Sequence, residues 1–332
     1  MLIVTNTERF PPAWSSSGVT GNTVHAGSAK EFFRHRGAGT VWMVDCHPPL
    51  LQELVLATLF WKDRPPIITF DLVLREPMRL QDRLLLPIKK SILARVDHHI
   101  HVFRDLGGYE RVFGIGPDRS SFVPFKVNLT ERHALSANPE GSYVLCFGRS
   151  LRDFDTFFDA VEQLPFPAAI ARPNPSELRA HGARFSRSLD LLPKNVEILD
   201  DDGTEAAQIR LLGDAKLVVL PILKHSIAAS GISICLNAMA LGKCVIASEG
   251  PGVSDLFATE VLTFPPENAA ALRNLIRRTW EDDQLRLRTA EAGRQYASWV
   301  GGETELYNRI IDCIVRWQLS RPQQPTYDSL RN

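Results

Sequence analysis

The chain has 332 residues and carries 38 basic against 38 acidic side chains, a balance that argues against a nucleic-acid partner or a generally basic surface. Its 44% hydrophobic and 23% charged content is that of a globular soluble protein, and no run approaches the ~20 apolar residues of a membrane span. The length exceeds the roughly 250–300 residues at which single cores stop growing, so two domains are expected.

Taken in order, Met1 to Asn6 is apolar and then polar, which predicts a first strand and not a signal peptide. A loop of small residues follows, Ser15 to Asn22, with Gly18 and Gly21 in it, and then a helix to about His35; together these make a first βα unit. Strands are expected at Thr40–Val44, at Pro66–Leu74 with Asp71 on it, at His99–Phe103 and at Phe122–Phe125. Helices are expected at Pro48–Lys62, Leu80–Val96 and Gly108–Phe113. A polar, turn-rich stretch over residues 129–142 reads as a linker. The alternation then restarts, with strands at Tyr143–Phe147, Ala168–Ala171, Val196–Leu199, Leu217–Leu220, Cys244–Ala247 and Val261–Phe264. Helices lie between them, and two more follow at Gln284–Ser298 and Glu303–Gln318. The expected organisation is a first Rossmann-like domain over 1–128, the linker, and a second over 143–300. A helix over 301–319 packs back on the first domain, and a mobile tail covers 320–332.

The five cysteines, Cys46, Cys146, Cys235, Cys244 and Cys313, are odd in number, widely spaced and mostly in apolar contexts. They read as reduced residues of a cytosolic protein and not as a disulfide frame or zinc site. The most informative stretch runs from Val218 to Ser248 as strand, loop, helix and strand. Gly231 and Ser233 sit where the helix opens, so its free N–H groups and dipole converge on a small-residue loop that suits a phosphate or pyrophosphate.

The residues from Gly231 through Asn237-Ala238-Met239-Ala240-Leu241-Gly242-Lys243-Cys244-Val245-Ile246-Ala247-Ser248 carry a family resemblance. It continues through Gly252-Val253-Ser254-Asp255-Leu256, Phe264-Pro265-Pro266-Glu267-Asn268 and the Ala-rich helix to Trp299. This order resembles the carboxyl-terminal half of the GT-B glycosyltransferases of the group 1, family 4-like kind. The resemblance implies an α/β protein of two Rossmann-like doubly wound domains facing a cleft. It implies transfer of a sugar from a nucleotide donor, with a UDP- or GDP-sugar expected, to a saccharide or lipid-linked acceptor in polysaccharide or glycoconjugate assembly of bacterial type. The loop Gly148-Arg149-Ser150-Leu151-Arg152 is similar to the family's Gly-Arg-x-x-x-Lys loop. By that likeness Arg149 and Arg152 face the donor diphosphate, with Ser230, Gly231, Ile232 and Ser233 beside them. No bound metal or cofactor is then needed, and Asp200-Asp201-Asp202-Gly203 reads as a turn. Gly18 and Gly21 are similar to the family's first βα loop.

One departure bears on the donor site. Where retaining members carry two glutamates, this chain has Ala229 and Asn237. An amide at Asn237 can still bond a ribose hydroxyl, or it can be a helix residue on a solvated face. Asp71 occupies the place from which an aspartate deprotonates the acceptor in some inverting members, or else it caps a loop. His25, His47, Lys224 and His225 are further candidates for donor or acceptor contacts, each with a structural or solvated alternative. Leu84-Leu85-Leu86-Pro87-Ile88 beside Lys89-Lys90 either packs on the sheet, the commoner fate of such leucines, or makes peripheral contact at the inner face of a membrane. A GT-B epimerase and a binding-only pseudo-transferase are the alternative functions.

Overall fold

A computed structural model describes residues 1–129 and 140–321, so most of the expected linker and tail lies outside the described residues. The first half forms a seven-stranded sheet in the order β2-β3-β1-β4-β5-β6-β7. Its strands are β1 (Leu2–Thr5), β2 (Ala13–Ser16), β3 (Val19–His25), β4 (Thr40–Asp45), β5 (Ile67–Phe70), β6 (His98–His101) and β7 (Ser120–Phe122). The second half forms a six-stranded sheet in the order β10-β9-β8-β11-β12-β13. These strands are β8 (Tyr143–Cys146), β9 (Ala168–Ala171), β10 (Val196–Leu199), β11 (Ala215–Leu220), β12 (Cys244–Ser248) and β13 (Leu262–Phe264). All neighbours are parallel except β2 and β3. Central strands such as β4, β5 and β11 are buried almost throughout, which explains their continuous apolar runs.

The expected first βα unit is corrected. Ser17 and Gly18 both take positive φ, 50° and 77°, and turn β2 into β3 as an antiparallel hairpin at the sheet edge. Gly21 packs against Trp14 and the Met1 carbonyl inside that hairpin. Only then does a short helix form, α1 (Ala29–Arg34). Helices α2 (Pro48–Ala57), α3 (Leu80–Leu93) and α4 (Gly107–Phe113) complete the first half. Contrary to the commoner expectation for its leucines, α3 packs on the first core only through Leu93 and, in part, Leu86 and Ile92, while Leu84, Leu85 and Ile88 are exposed.

In the second half the helices are α5 (Phe154–Val161), α6 (Pro175–Ala180), α7 (Glu205–Gly213), α8 (Ile232–Ala240), α9 (Ala269–Glu281) and α10 (Asp283–Val300). The last helix, α11 (Glu303–Ser320), returns to the first half. Its Leu306, Tyr307, Ile310, Ile311, Ile314 and Val315 join the apolar core of the first sheet. Asp312 accepts hydrogen bonds from the hydroxyls of Ser16 and Ser17, each at 2.9 Å. The outgoing and returning chains meet where Val127 N–H donates to the Gly301 carbonyl at 2.9 Å.

Both sheets place a switch in strand order over the middle of the molecule. In the second it lies between β8 and β11, and in the first between β1 and β4. In open parallel sheets ligands bind outside the carboxyl ends of the strands at such points. The contacts between the halves come from segments that follow strand ends. Asp255 accepts the N–H groups of Arg104 and Asp105 at 2.5 and 3.0 Å, Arg75 donates to the Ala180 carbonyl at 2.9 Å, and Gly108 lies against Ile227. The carboxyl edges of the two sheets therefore face each other.

Candidate functional site

The second-half side of the cleft is built from the loops after β8 and β11. They are stitched across the switch point by Asp153 N–H to the Pro221 carbonyl at 2.8 Å and Leu223 N–H to the Leu151 carbonyl at 3.0 Å. Asp153 is fully buried, caps α5 and takes a two-pronged ion pair from Arg184 at 2.9 and 2.6 Å, so the loop is held from below. That pair was not legible in the sequence, since 31 residues separate the partners.

Arg152 lies inside this frame. It is 1% exposed, and its Nε and Nη1 have no hydrogen-bond partner among the described residues. Burial lowers its pKa to about 10, and the groups around it are the thiols of Cys146 and Cys235, with no carboxylate in an ion pair among the described residues. Gly231, with φ 88°, opens α8 directly above it: a Cβ there would come within 2.9 Å of Nη2. Gly148, φ 96°, closes on the same nitrogen from the other side. The cation thus sits under the amino terminus of α8, whose first N–H groups, at Ile232 and Ser233, have no intrahelical partner and no side-chain cap. A buried cation and a helix amino terminus acting together form a strong anion site.

The other expected donor contacts separate. Arg149 is exposed and pairs with Glu177 on α6. The N–H of Ser230 is already given to the Ala228 carbonyl at 2.7 Å, and its hydroxyl lies 3.1 Å from that of Ser226. Ser233 accepts from the Asn128 amide. The solvated-face reading of Asn237 is corrected. It is fully buried, its Oδ1 accepts Asn128 N–H at 2.9 Å, and its Nδ2 donates to Gln208 at 3.3 Å. The chain crossing between the halves thus lies on α8 and takes up one hydrogen bond of the amide oxygen. Lys224 is exposed and His225 partly so, on the loop that carries Ile227 to α4.

Across the cleft, Asp71 ends β5 in a left-handed conformation, φ 44°, and Cys46 ends β4 the same way, φ 38°. Such strain in non-glycine residues collects at functional sites when surrounding bonds enforce it. Here the Asp71 and Cys46 N–H groups donate to the carbonyls of Ile100 and Phe70, both at 3.0 Å. The buried Tyr109 hydroxyl donates to the Leu72 carbonyl and accepts Leu74 N–H, each at 2.8 Å, which fixes the loop beyond. Burial, with the negative charge of Asp45, raises the Asp71 carboxyl to about 7. Asp45, whose own pKa is also raised by burial, is held by Thr7 Oγ1 at 2.9 Å and by the Asn6 side chain on its backbone. Asn6, Thr7 and Asp45 flank the β1/β4 switch point and were not singled out in the sequence, where only the strand ends themselves could have signalled them.

The remaining candidates do not converge there. Gly18 and Gly21, expected in a first βα loop as possible donor or acceptor contacts, belong instead to the edge hairpin, whose turn is tied to α11. His47 caps α2, its Nδ1 accepting Leu50 N–H at 3.0 Å. His25 is exposed at the carboxyl end of β3. His98, His99 and His101 are buried along β6, and burial lowers them to about 4, 3 and 4, so they are neutral. Among the described residues no group of three or more His, Cys, Asp or Glu is placed to hold a metal ion, and no helix is long and apolar enough to cross a membrane.

Two parallel α/β units with facing carboxyl edges define the GT-B class of architecture. Solved structures bear this out. A glycosyltransferase from Rickettsia africae superposes with a TM-score of 0.63 at 14% identity, over 91% of this chain and 86% of that one. Sucrose-phosphate synthase from Thermosynechococcus elongatus gives 0.65 at 17%, over 97% and 89%. Anabaena HepE in complex with UDP gives 0.61 at 15%, over 84% and 78%. More particularly, residues 189–296 match the model of the family Glycosyl transferases group 1, in agreement with the resemblance carried by residues 231–299. No curated protein matches the chain in sequence.

Proposed function

We propose that this protein is a metal-independent glycosyltransferase that moves a sugar from a nucleotide-sugar donor to a saccharide or lipid-linked acceptor, in the assembly of a polysaccharide or glycoconjugate. The observation that carries the reading is the Arg152 guanidinium, buried without a counter-ion among the described residues under the open amino terminus of α8. An unpaired buried cation is costly, and a diphosphate at the N–H groups of Ile232 and Ser233 offsets that cost and stabilises the departing nucleoside diphosphate. The match to the group 1 family and the UDP bound by Anabaena HepE support a nucleotide sugar, with UDP or GDP as its carrier.

On the acceptor side Asp71 serves as general base. Its carboxylate takes the proton of the attacking hydroxyl as that oxygen bonds to the anomeric carbon. The bond from that carbon to the phosphate oxygen breaks, and the electron pair leaves with the nucleoside diphosphate. A raised pKa near 7 suits the task, because a base is most effective when its pKa lies near the working pH. In-line attack of this kind inverts the anomeric centre. A lipid-linked acceptor would be met at the inner face of a membrane, with the enzyme in the cytoplasm.

The test is a thermal-shift screen with UDP, GDP, ADP, TDP and CMP, since a ligand that binds only the folded state raises Tm. Turnover of the matching donor is then assayed with and without EDTA. A nucleoside diphosphate is expected to raise Tm and activity to survive EDTA; no shift with any nucleotide would overturn the proposal.

A further inference from the structure

We infer that α3, with the end of α2, is a docking surface for an anionic lipid bilayer. The inference deepens the lipid-linked acceptor reading by naming the surface and its partner, and its geometry stands independently of the donor site. Of the fourteen large apolar side chains exposed among the described residues, nine fall between Leu56 and Ile88. Leu80, Leu84 and Ile88, spaced four residues apart, form one stripe along α3, with Leu85 beside it. Leu84 is 70% exposed and Phe60 99%. Phe60 follows α2, and that end is tied to the far end of α3 by Arg95, whose Nη2 donates to the Leu59 carbonyl at 2.5 Å. The helix is anchored through Leu93 and, in part, Leu86 and Ile92, so the stripe is left on its outer side.

Monomeric proteins seldom leave a contiguous apolar patch of this kind without a partner, and charge selects which partner. From Arg79 to Arg95 the chain has five basic residues and one acidic, Asp82, in a molecule whose charges otherwise balance. Arg79, Arg83, Lys89 and Lys90 are exposed and border the stripe. A second copy presenting the same face would meet like charge, and an uncharged apolar partner would leave the basic rim unused. An anionic headgroup layer satisfies both, with leucines entering the acyl boundary and the basic side chains remaining among the headgroups. Leu80, at the start of α3, is nine residues beyond Asp71 along a loop held by Tyr109, so this first turn of the stripe lies on the side of the sheet that carries Asp71.

The test is sedimentation of the full chain with vesicles of phosphatidylcholine alone and of three parts phosphatidylcholine to one of phosphatidylglycerol, at low and high salt. Binding is expected only with phosphatidylglycerol, weakening as salt rises. The Leu84→Gln/Ile88→Gln and Lys89→Glu/Lys90→Glu variants are each expected to bind roughly tenfold less, with an unchanged apo Tm and nucleotide-induced shift. The unchanged shift shows that the variants fold and separates this inference from the donor reading. Absence of vesicle binding by the unmodified chain overturns it, as does binding that neither variant alters. A concentration-dependent dimer in size-exclusion chromatography, abolished by Leu84→Gln/Ile88→Gln, would assign the face to a second copy instead.

Discussion

Replacing Arg152 by methionine probes the donor site most directly, because two effects of opposite sign follow from one side chain. The guanidinium is 1% exposed, lacks a carboxylate partner among the described residues and has its pKa lowered by burial from 12.5 to about 10. At 1.36 kcal/mol per pKa unit, keeping it charged costs the apo protein about 3 kcal/mol. Methionine removes that cost but leaves part of the guanidinium volume empty, a loss of about 1–2 kcal/mol. The apo protein is therefore expected to gain about 1–2 kcal/mol, and its apparent Tm to rise by roughly 1–3 °C in differential scanning fluorimetry. The same variant loses the cation under α8, so the nucleotide-induced shift should largely vanish. In the unmodified chain a ligand at about 100 times Kd adds about 2.7 kcal/mol. A methionine variant that melts several degrees lower yet keeps the full nucleotide shift would refute the reasoning, for Arg152 would then be a structural cation with an uncounted partner.

Four further outcomes are expected. Arg149→Ala should weaken nucleotide binding less than tenfold by isothermal titration, because Arg149 is exposed and already shared with Glu177. Asp71→Asn should lower kcat/KM by roughly 100- to 10,000-fold. Since burial raises the folded-state pKa from 3.8 to about 7, the ionised form is penalised, and activity should climb as pH rises through about 7 while the stability gained by Asp71→Asn grows over the same rise from about 4. Asp45→Asn removes the neighbouring negative charge and should move the ascending limb of that pH profile to lower pH, without the large rate loss of Asp71→Asn. Asn237→Ala should cost about 1–3 kcal/mol in denaturant unfolding by stranding the Asn128 N–H and the Gln208 side chain, while leaving the KM for donor within a few-fold.

The α/β class, the strand–loop–helix at 218–248 and the second half's order of elements were legible in the chain, because buried parallel strands write long apolar runs and helix ends write glycine. Gly231 could be singled out as the start of α8 for that reason. What lay under it could not, because a charged arginine in an exposed loop and one sealed beneath two glycines have the same local sequence. Ser15 to Asn22 failed for a related reason: small residues suit a phosphate loop and a hairpin turn equally, and only the pairing of Trp14 with Gly21 across the two strands chooses between them. Asn237 followed its alignment position, but the chain crossing from the first half covers it, a contact spanning 109 residues.

By itself the sequence determined most of the parallel strands and the longer helices, that two parallel sheets form, and that a helix amino terminus follows β11, since those are matters of local periodicity and turn chemistry. The tertiary structure decided which charges are buried, which polar groups are already satisfied, and that α3 stands with its leucines outward, since burial and partnership depend on chain segments brought together from tens to more than a hundred residues away.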